Sequence, residues 1–327
     1  MKKLFCFTLM LFSAFSCCHV MAAADEQSLD QMVAVVNDDV ITKSELTQAI
    51  VTIKSQIANQ NVTTPSDKVL QKQVLEQLIN KKIQLQVAKQ AGVAVNDEEL
   101  DRTIKQIASQ HNITVDNLYK RIQQEGMSTQ QYRAEMHDQI LLHKLQQQEV
   151  AGKISISPQE VTTFMNSQVW QSNSSKEYRI EDILIPVADA PTPDDLSTAK
   201  KRAQDVLAKV KAGQDFSSIA QAESKQKNAL QGGDLGWRKL PEIPSAFTEE
   251  VSHMRKDEVA GPIQTPNGFH IIKLADSRAA AANKQALNRK AVENLLLQQK
   301  FEEAVQNWVS KLRSQAFVEV HPQKQWS

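Results

Sequence analysis

The stretch Gln231-Gly232-Gly233-Asp234-Leu235-Gly236-Trp237 decides how this chain is read. Three glycines fall within five positions, with one carboxylate among them and an indole directly after. Glycine turns tightly, or sits at positive φ, without steric cost. Leu235 and Trp237 are large apolar groups that anchor such a bend. The spacing matches neither G-x-x-x-x-G-K-[ST] nor G-x-G-x-x-G, so this is no phosphate loop.

The surroundings extend the pattern. Downstream lie Ile243 and Phe247, then Val259-Ala260-Gly261-Pro262-Ile263, then Thr265-Pro266-Asn267-Gly268-Phe269-His270-Ile271-Ile272-Lys273. Upstream lies Tyr178-Arg179-Ile180-Glu181-Asp182-Ile183-Leu184-Ile185. As an ordered set, these residues resemble the parvulin family of peptidyl-prolyl cis–trans isomerases, over roughly residues 177–278.

The 327 residues suggest two or three domains. Lys+Arg and Asp+Glu both number 38, so no net field exists to hold nucleic acid or an anionic membrane. The N-terminus reads as a secretory signal, residues 1–24. Lys2 and Lys3 precede an apolar run from Leu4 to Phe15 that is too short to span a bilayer, and Ala22-Ala23-Ala24 offers a cleavage site. Cys6, Cys17 and Cys18 all fall inside it, so a mature chain carries no cysteine. A periplasmic protein without stable membrane insertion is expected.

Residues 25–175 read as a helical domain behind a small hairpin, Met32–Val36 and Val40-Ile41 around Asn37-Asp38-Asp39. Helix starts are marked at Thr42-x-x-Glu45, Asn96-x-x-Glu99, Ser128 and, most completely, Ser157-Pro158-x-Glu160. Ser172-Asn173-Ser174-Ser175 reads as a linker. The segment 176–278 follows in β-α-α-β-α-β order, an α+β module. Residues 279–327 give a helix to about Ser314, about 45 Å long, then Ala316-Phe317-Val318-Glu319-Val320 alternating like a strand able to pair with 32–36. Burying that helix against the first region makes both chain ends one domain, with the module as an insert.

With the exported start, the V-A-V-V-N-D-D-V-I-T-x-S-E-L opening and the Trp308…Leu312-Arg313…Ala316-Phe317-Val318 tail, the whole resembles the SurA-type periplasmic chaperones. That resemblance implies unfolded outer-membrane proteins and proline-containing peptides as partners, with no nucleic acid, metal or cofactor. Members often carry two parvulin modules, whereas one glycine-rich loop is present here. The resemblance also implies a slot for the proline ring lined by Leu235, Ile243 and Phe247, beside Trp237; the bland alternative is that these are core residues. Active parvulins place two histidines and a Cys or Asp on the floor. His270 matches the second histidine, Asp182 replaces the first, Gln226 or a neighbour takes the Cys/Asp place, and Thr265 fits the nearby hydroxyl. Such replacements imply a module that binds proline peptides and turns them over weakly. A foldase whose main role is prolyl isomerisation is the alternative, and a helical scaffold with the module as spacer a third. The remaining histidines lack metal-ligand spacing, and no G-x-S-x-G or mature-chain cysteine nucleophile supports hydrolysis.

Overall fold

A computed structural model describes residues 30–58, 64–167, 176–188, 191–279 and 289–321. The signal reading at 1–24 and the linker at 172–175 lie outside the described residues.

The chain opens with β1 (Met32–Val36) and β2 (Asp39–Thr42), an antiparallel hairpin turned at Asn37, whose φ is 51°. Asparagine tolerates that conformation better than most residues. The helices α1 (Lys43–Ala58), α2 (Asp67–Gln90), α3 (Asp97–Gln110), α4 (Val115–Gln124), α5 (Thr129–Glu149) and α6 (Pro158–Asn166) follow. Their starts are built as the sequence indicates. Asn96 accepts from the Glu99 N–H, and Ser128 and Ser157 form reciprocal capping boxes with Gln131 and Glu160.

The second region runs β3 (Lys176–Pro186), α7 (Pro193–Lys211), α8 (Phe216–Glu223), β4 (Asp234–Lys239), α9 (Ser245–His253), β5 (Val259–Thr265) and β6 (Gly268–Ala279). Its sheet has the order β4-β3-β6-β5, all antiparallel. The glycine-rich stretch, expected as a loop, turns at Gly232 and Gly233 and continues directly into β4, where Gly236, at φ 75°, falls in a bulge. Successive residues of β3 serve two cores, as strand alternation requires. Ile183 and Ile185 pack with α7 and α8, while Tyr178 and Ile180 pack with Ile243, Phe247 and Val251.

The chain then forms α10 (Arg289–Gln315) and β7 (Val318–Val320). β7 completes a three-stranded sheet in the order β2-β1-β7, with Ala34 opposite Val320 and Val36 opposite Val318. Asn37 and Phe317 exchange two further bonds, the Asn37 N–H to the Phe317 carbonyl at 2.8 Å and the Phe317 N–H to Asn37 Oδ1 at 2.9 Å. α10 also meets the first region through side chains. Arg289 donates to the Pro158 carbonyl (2.6 Å) and Thr162 Oγ1 (3.0 Å), and Lys300 Nζ donates to Glu160 (2.5 Å) and the Ser155 carbonyl (3.2 Å). Leu312, Ala316 and Val318 pack on the core of Val33, Ile41, Leu46, Leu70 and Ile79. Both chain ends thus build one hydrophobic unit, because neither a lone hairpin nor a lone long helix can bury its apolar face. A satellite core of Leu100, Ile104, Leu118 and Tyr132 joins α3, α4 and α5. Among the described residues no helix is long and apolar enough to cross a membrane.

The second region is seated on this unit. Leu230, from the turn before the glycines, is buried in the same core as Leu70 and Val74. Gln73 of α2 is itself buried and donates to the Gln221 (2.7 Å) and Ser224 (3.1 Å) carbonyls at the end of α8.

Candidate proline-binding site

β3 and β6 pair along their length, with Asp182 opposite Ile272 and Leu184 opposite His270. Asp182 and His270 thereby project from the same face, as diagonal neighbours within side-chain reach. Both are almost fully buried, at 1 % and 4 % exposure. The His270 Nδ1–H donates to the Asp182 carboxylate, whose oxygens lie 2.9 and 3.0 Å away. Gln226 Nε2 donates to the same carboxylate. A buried charge is tolerable only with such partners. On the other side of the ring, His270 Nε2 lies 3.1 Å from the amide oxygen of Asn267, which also accepts from Thr265 Oγ1. Thr265 therefore reaches His270 only through Asn267. The row Gln226, Asp182, His270, Asn267, Thr265 is continuous.

The glycines fix this row by close approach. Gly233 has φ +81°, and a Cβ there would stand 2.4 Å from the Asp182 carbonyl oxygen. The Asp182 N–H donates to the Gly233 carbonyl at 2.9 Å, so the turn clamps the backbone that carries the carboxylate. Gly261, at φ +123°, brings β5 against β6 in the same way, with the His270 carbonyl oxygen 2.6 Å from where a Cβ would be. Asp234 stabilises the turn exit. Its carboxylate accepts from the Gly236 N–H (2.8 Å) and from Arg179 Nε and Nη2 (3.0 and 2.6 Å).

The apolar part of the site is one cluster. Phe247 and Ile243 lie in it at 2 % and 1 % exposure, with Leu235 partly buried against it. The Phe247 ring is tilted 57° to the His270 imidazole, with centroids 4.9 Å apart. Phe247 and Ile243 thus form a floor rather than open walls. The partly exposed face of the cluster is made by Leu235, Met254, Ala260 and Ile263.

Trp237 is not brought to this cluster. Asp234 pairs with Glu181 and Trp237 with Arg179, so β4 carries one extra residue at a bulge. The bulge breaks the alternation that would have placed Leu235 and Trp237 on one side. Arg179 sits between Tyr178 and Ile180, which both face the cluster, so its strand partner Trp237 faces away. The Arg278 guanidinium lies 4.1 Å over the indole.

Asn267 was not singled out by sequence reading, although it stands inside the T-P-N-G-F-H stretch. Its role depends on the tight β5–β6 turn, which folds its amide back onto a ring three residues away. Gln299 and Gln306 of α10, which bond to the Pro241 and Ile243 carbonyls and to Asn267, carry no local signal at all. Among the described residues no group of three or more His, Cys, Asp or Glu could hold a metal ion.

Comparison with known proteins finds relatives of both regions. Residues 29–146 match the SurA N-terminal domain, and residues 183–276 match the PPIC-type PPIase domain. Chaperone SurA of Legionella pneumophila (strain Philadelphia 1) is 40 % identical over 252 residues, covering 77 % of this chain and 59 % of that protein. Chaperone SurA of Chromohalobacter salexigens is 34 % identical over 278 residues, covering 85 % and 63 %. A solved PpiC-type peptidyl-prolyl cis–trans isomerase domain aligns over 34 % of this chain and 98 % of its own length, with 28 % identity and a TM-score of 0.31. The chain spans about three fifths of the length of the curated relatives it matches. The chain thus joins a SurA N-terminal domain to a single PPIC-type isomerase domain, and over most of its length it is similar to proteins named Chaperone SurA.

Proposed function

We propose that this protein is a periplasmic chaperone that binds unfolded outer-membrane proteins, and that its isomerase-type domain holds proline-containing segments of them with weak turnover. The observation that carries the second half is the buried Asp182–His270 pair, held by Gln226 beneath the Phe247 cluster. Prolyl isomerisation rotates an amide against a barrier of about 20 kcal/mol without making or breaking a bond. A catalyst must prefer the twisted amide, which has lost charge separation, over the planar one. An apolar surface beside His270 can seat the pyrrolidine ring. The carboxylate under the ring replaces the family's first histidine, and an amide replaces its Cys or Asp. The floor thereby becomes a fixed carboxylate–imidazole hydrogen bond in place of a pair of imidazoles able to share a proton.

Support for the holdase half comes from the first region. Met32, Val40, Phe317 and Val320, on or beside the small sheet, are exposed large apolar residues, and β2 and β7 form that sheet's edges. Apolar surface next to a strand edge suits extended, aromatic-rich client segments. The Lys-rich start with its A-x-A site supports export.

The deciding experiment measures the full chain twice. A proline-peptide assay is expected to show binding with turnover far below that of an active parvulin. Strong turnover lost in His270→Gln would replace this reading with the foldase. Aggregation of an unfolded outer-membrane β-barrel is expected to be suppressed at near-stoichiometric ratios, and no suppression would sink the chaperone half.

A further inference from the structure

Gln299 and Gln306 are seven residues apart on α10, two turns along one helix face. Both reach the isomerase-type domain, one at the Pro241–Ile243 turn and the other at the β5–β6 turn. Gln299 Nε2 donates to the carbonyls of Pro241 (2.7 Å) and Ile243 (3.0 Å), the turn that carries the floor. Gln306 Oε1 accepts from Asn267 Nδ2 at 3.2 Å, and the Asn267 oxygen is thereby turned toward His270 Nε2. A carboxamide has two ends of similar shape and opposite hydrogen-bonding sense. Thr265 Oγ1 also bonds the oxygen end, but a hydroxyl can donate or accept and so fits either sense, which leaves the choice of which end faces the imidazole to the partner of the outer end. Because Gln306 presents an acceptor, the amino end of Asn267 points outward and the oxygen inward.

We propose that Gln306 is a positioning residue for the proline site, acting through Asn267. It sets the sense of the hydrogen bond at His270 Nε2 from a helix that belongs to the other end of the chain. The site is complete only while α10 is docked. This inference rests on the proline-site reading above for its functional meaning, and on the Gln306–Asn267–His270 row for its geometry.

The test uses the full chain with 15N-labelled histidine. Gln306→Glu keeps an acceptor toward Asn267 and is expected to leave the His270 Nε2 resonance in place. Gln306→Lys offers only donors, inverts the Asn267 amide and is expected to move it. Adding Asn267→Asp to Gln306→Lys returns an oxygen to face the ring, and the resonance is expected to move back. If the Glu and Lys variants leave the resonance unmoved, or move it alike, the proposal is overturned, since a merely structural contact would not distinguish donor from acceptor. Titration of a proline-containing peptide into the same samples is expected to show about threefold weaker binding to Gln306→Lys than to the parent, the loss of roughly one neutral hydrogen bond. Absence of peptide binding in the parent chain would sink the proline-site reading itself, while the resonance series still decides whether Gln306 orients Asn267.

Discussion

At the scale of single residues, the site depends on groups that are buried and fully committed. Asp182 accepts from His270 and Gln226 in an almost sealed position. Asp182→Ala leaves an imidazole and an amide facing a void, and is expected to cost about 3 kcal/mol, seen as a lower urea midpoint at unchanged slope. Gly233 is equally constrained, for a different reason. With φ +81° and the Asp182 carbonyl 2.4 Å from a would-be Cβ, Gly233→Ala must strain the turn and push on the carboxylate strand together. A loss of about 2 kcal/mol or more is expected, with the His270 ring signals shifted in the same sample. Phe247 shows why pocket and core are hard to separate by mutation. At 2 % exposure, Phe247→Ala is expected to cost about 3–5 kcal/mol in stability, so lost peptide binding in that variant alone says little about a slot.

At the scale of elements, the start of α6 joins local and long-range logic. Ser157 and Glu160 cap the helix reciprocally, and Glu160 also meets Lys300 of α10. The hydrogen bond from Lys300, followed by those from Ser157, lowers the Glu160 carboxyl from 4.5 to about 2. A carboxyl depressed in the folded state contributes its full stability above the unfolded value and loses it as pH falls through the folded one. The α6–α10 contact is therefore expected to weaken between about pH 4.5 and 2, read as faster amide exchange in residues 158–166. Glu160→Gln is expected to flatten that acid dependence. The contact is solvent-exposed, so added salt should weaken it too.

At the scale of the molecule, the isomerase-type domain is held from two sides. Gln73 satisfies two carbonyls at the end of α8, and Leu230 enters the core built from both chain ends. Gln73→Leu removes the Nε2 donor from both carbonyls and is expected to cost about 1–3 kcal/mol. Its effect should appear as increased exchange around residues 221–230 while α3–α5 stay protected. On the far side, α10 holds the Pro241–Ile243 turn and Asn267. Docking of the two regions and geometry of the site are thus one mechanical system.

Much of this was readable in the chain alone. Capping residues such as Ser157-Pro158-x-Glu160 announce helices because their hydrogen bonds close within four residues. The glycine-rich turn, the strand alternation around Asp182 and the T-P-N-G-F-H stretch carry their geometry in local φ/ψ demands. The apolar face of α10 required a partner, and β7 needed a strand to pair with. Tertiary structure alone decided the rest. The bulge at Gly236 turned Trp237 away from Leu235, because strand register is set between chains of atoms distant in sequence. Packing buried Ile243 and Phe247 as floor. Gln73, Gln299 and Gln306 acquired their partners only when helices from both ends closed around the inserted domain, since a glutamine's donor and acceptor are unspecific until a particular carbonyl or amide is placed within 3 Å or so of them.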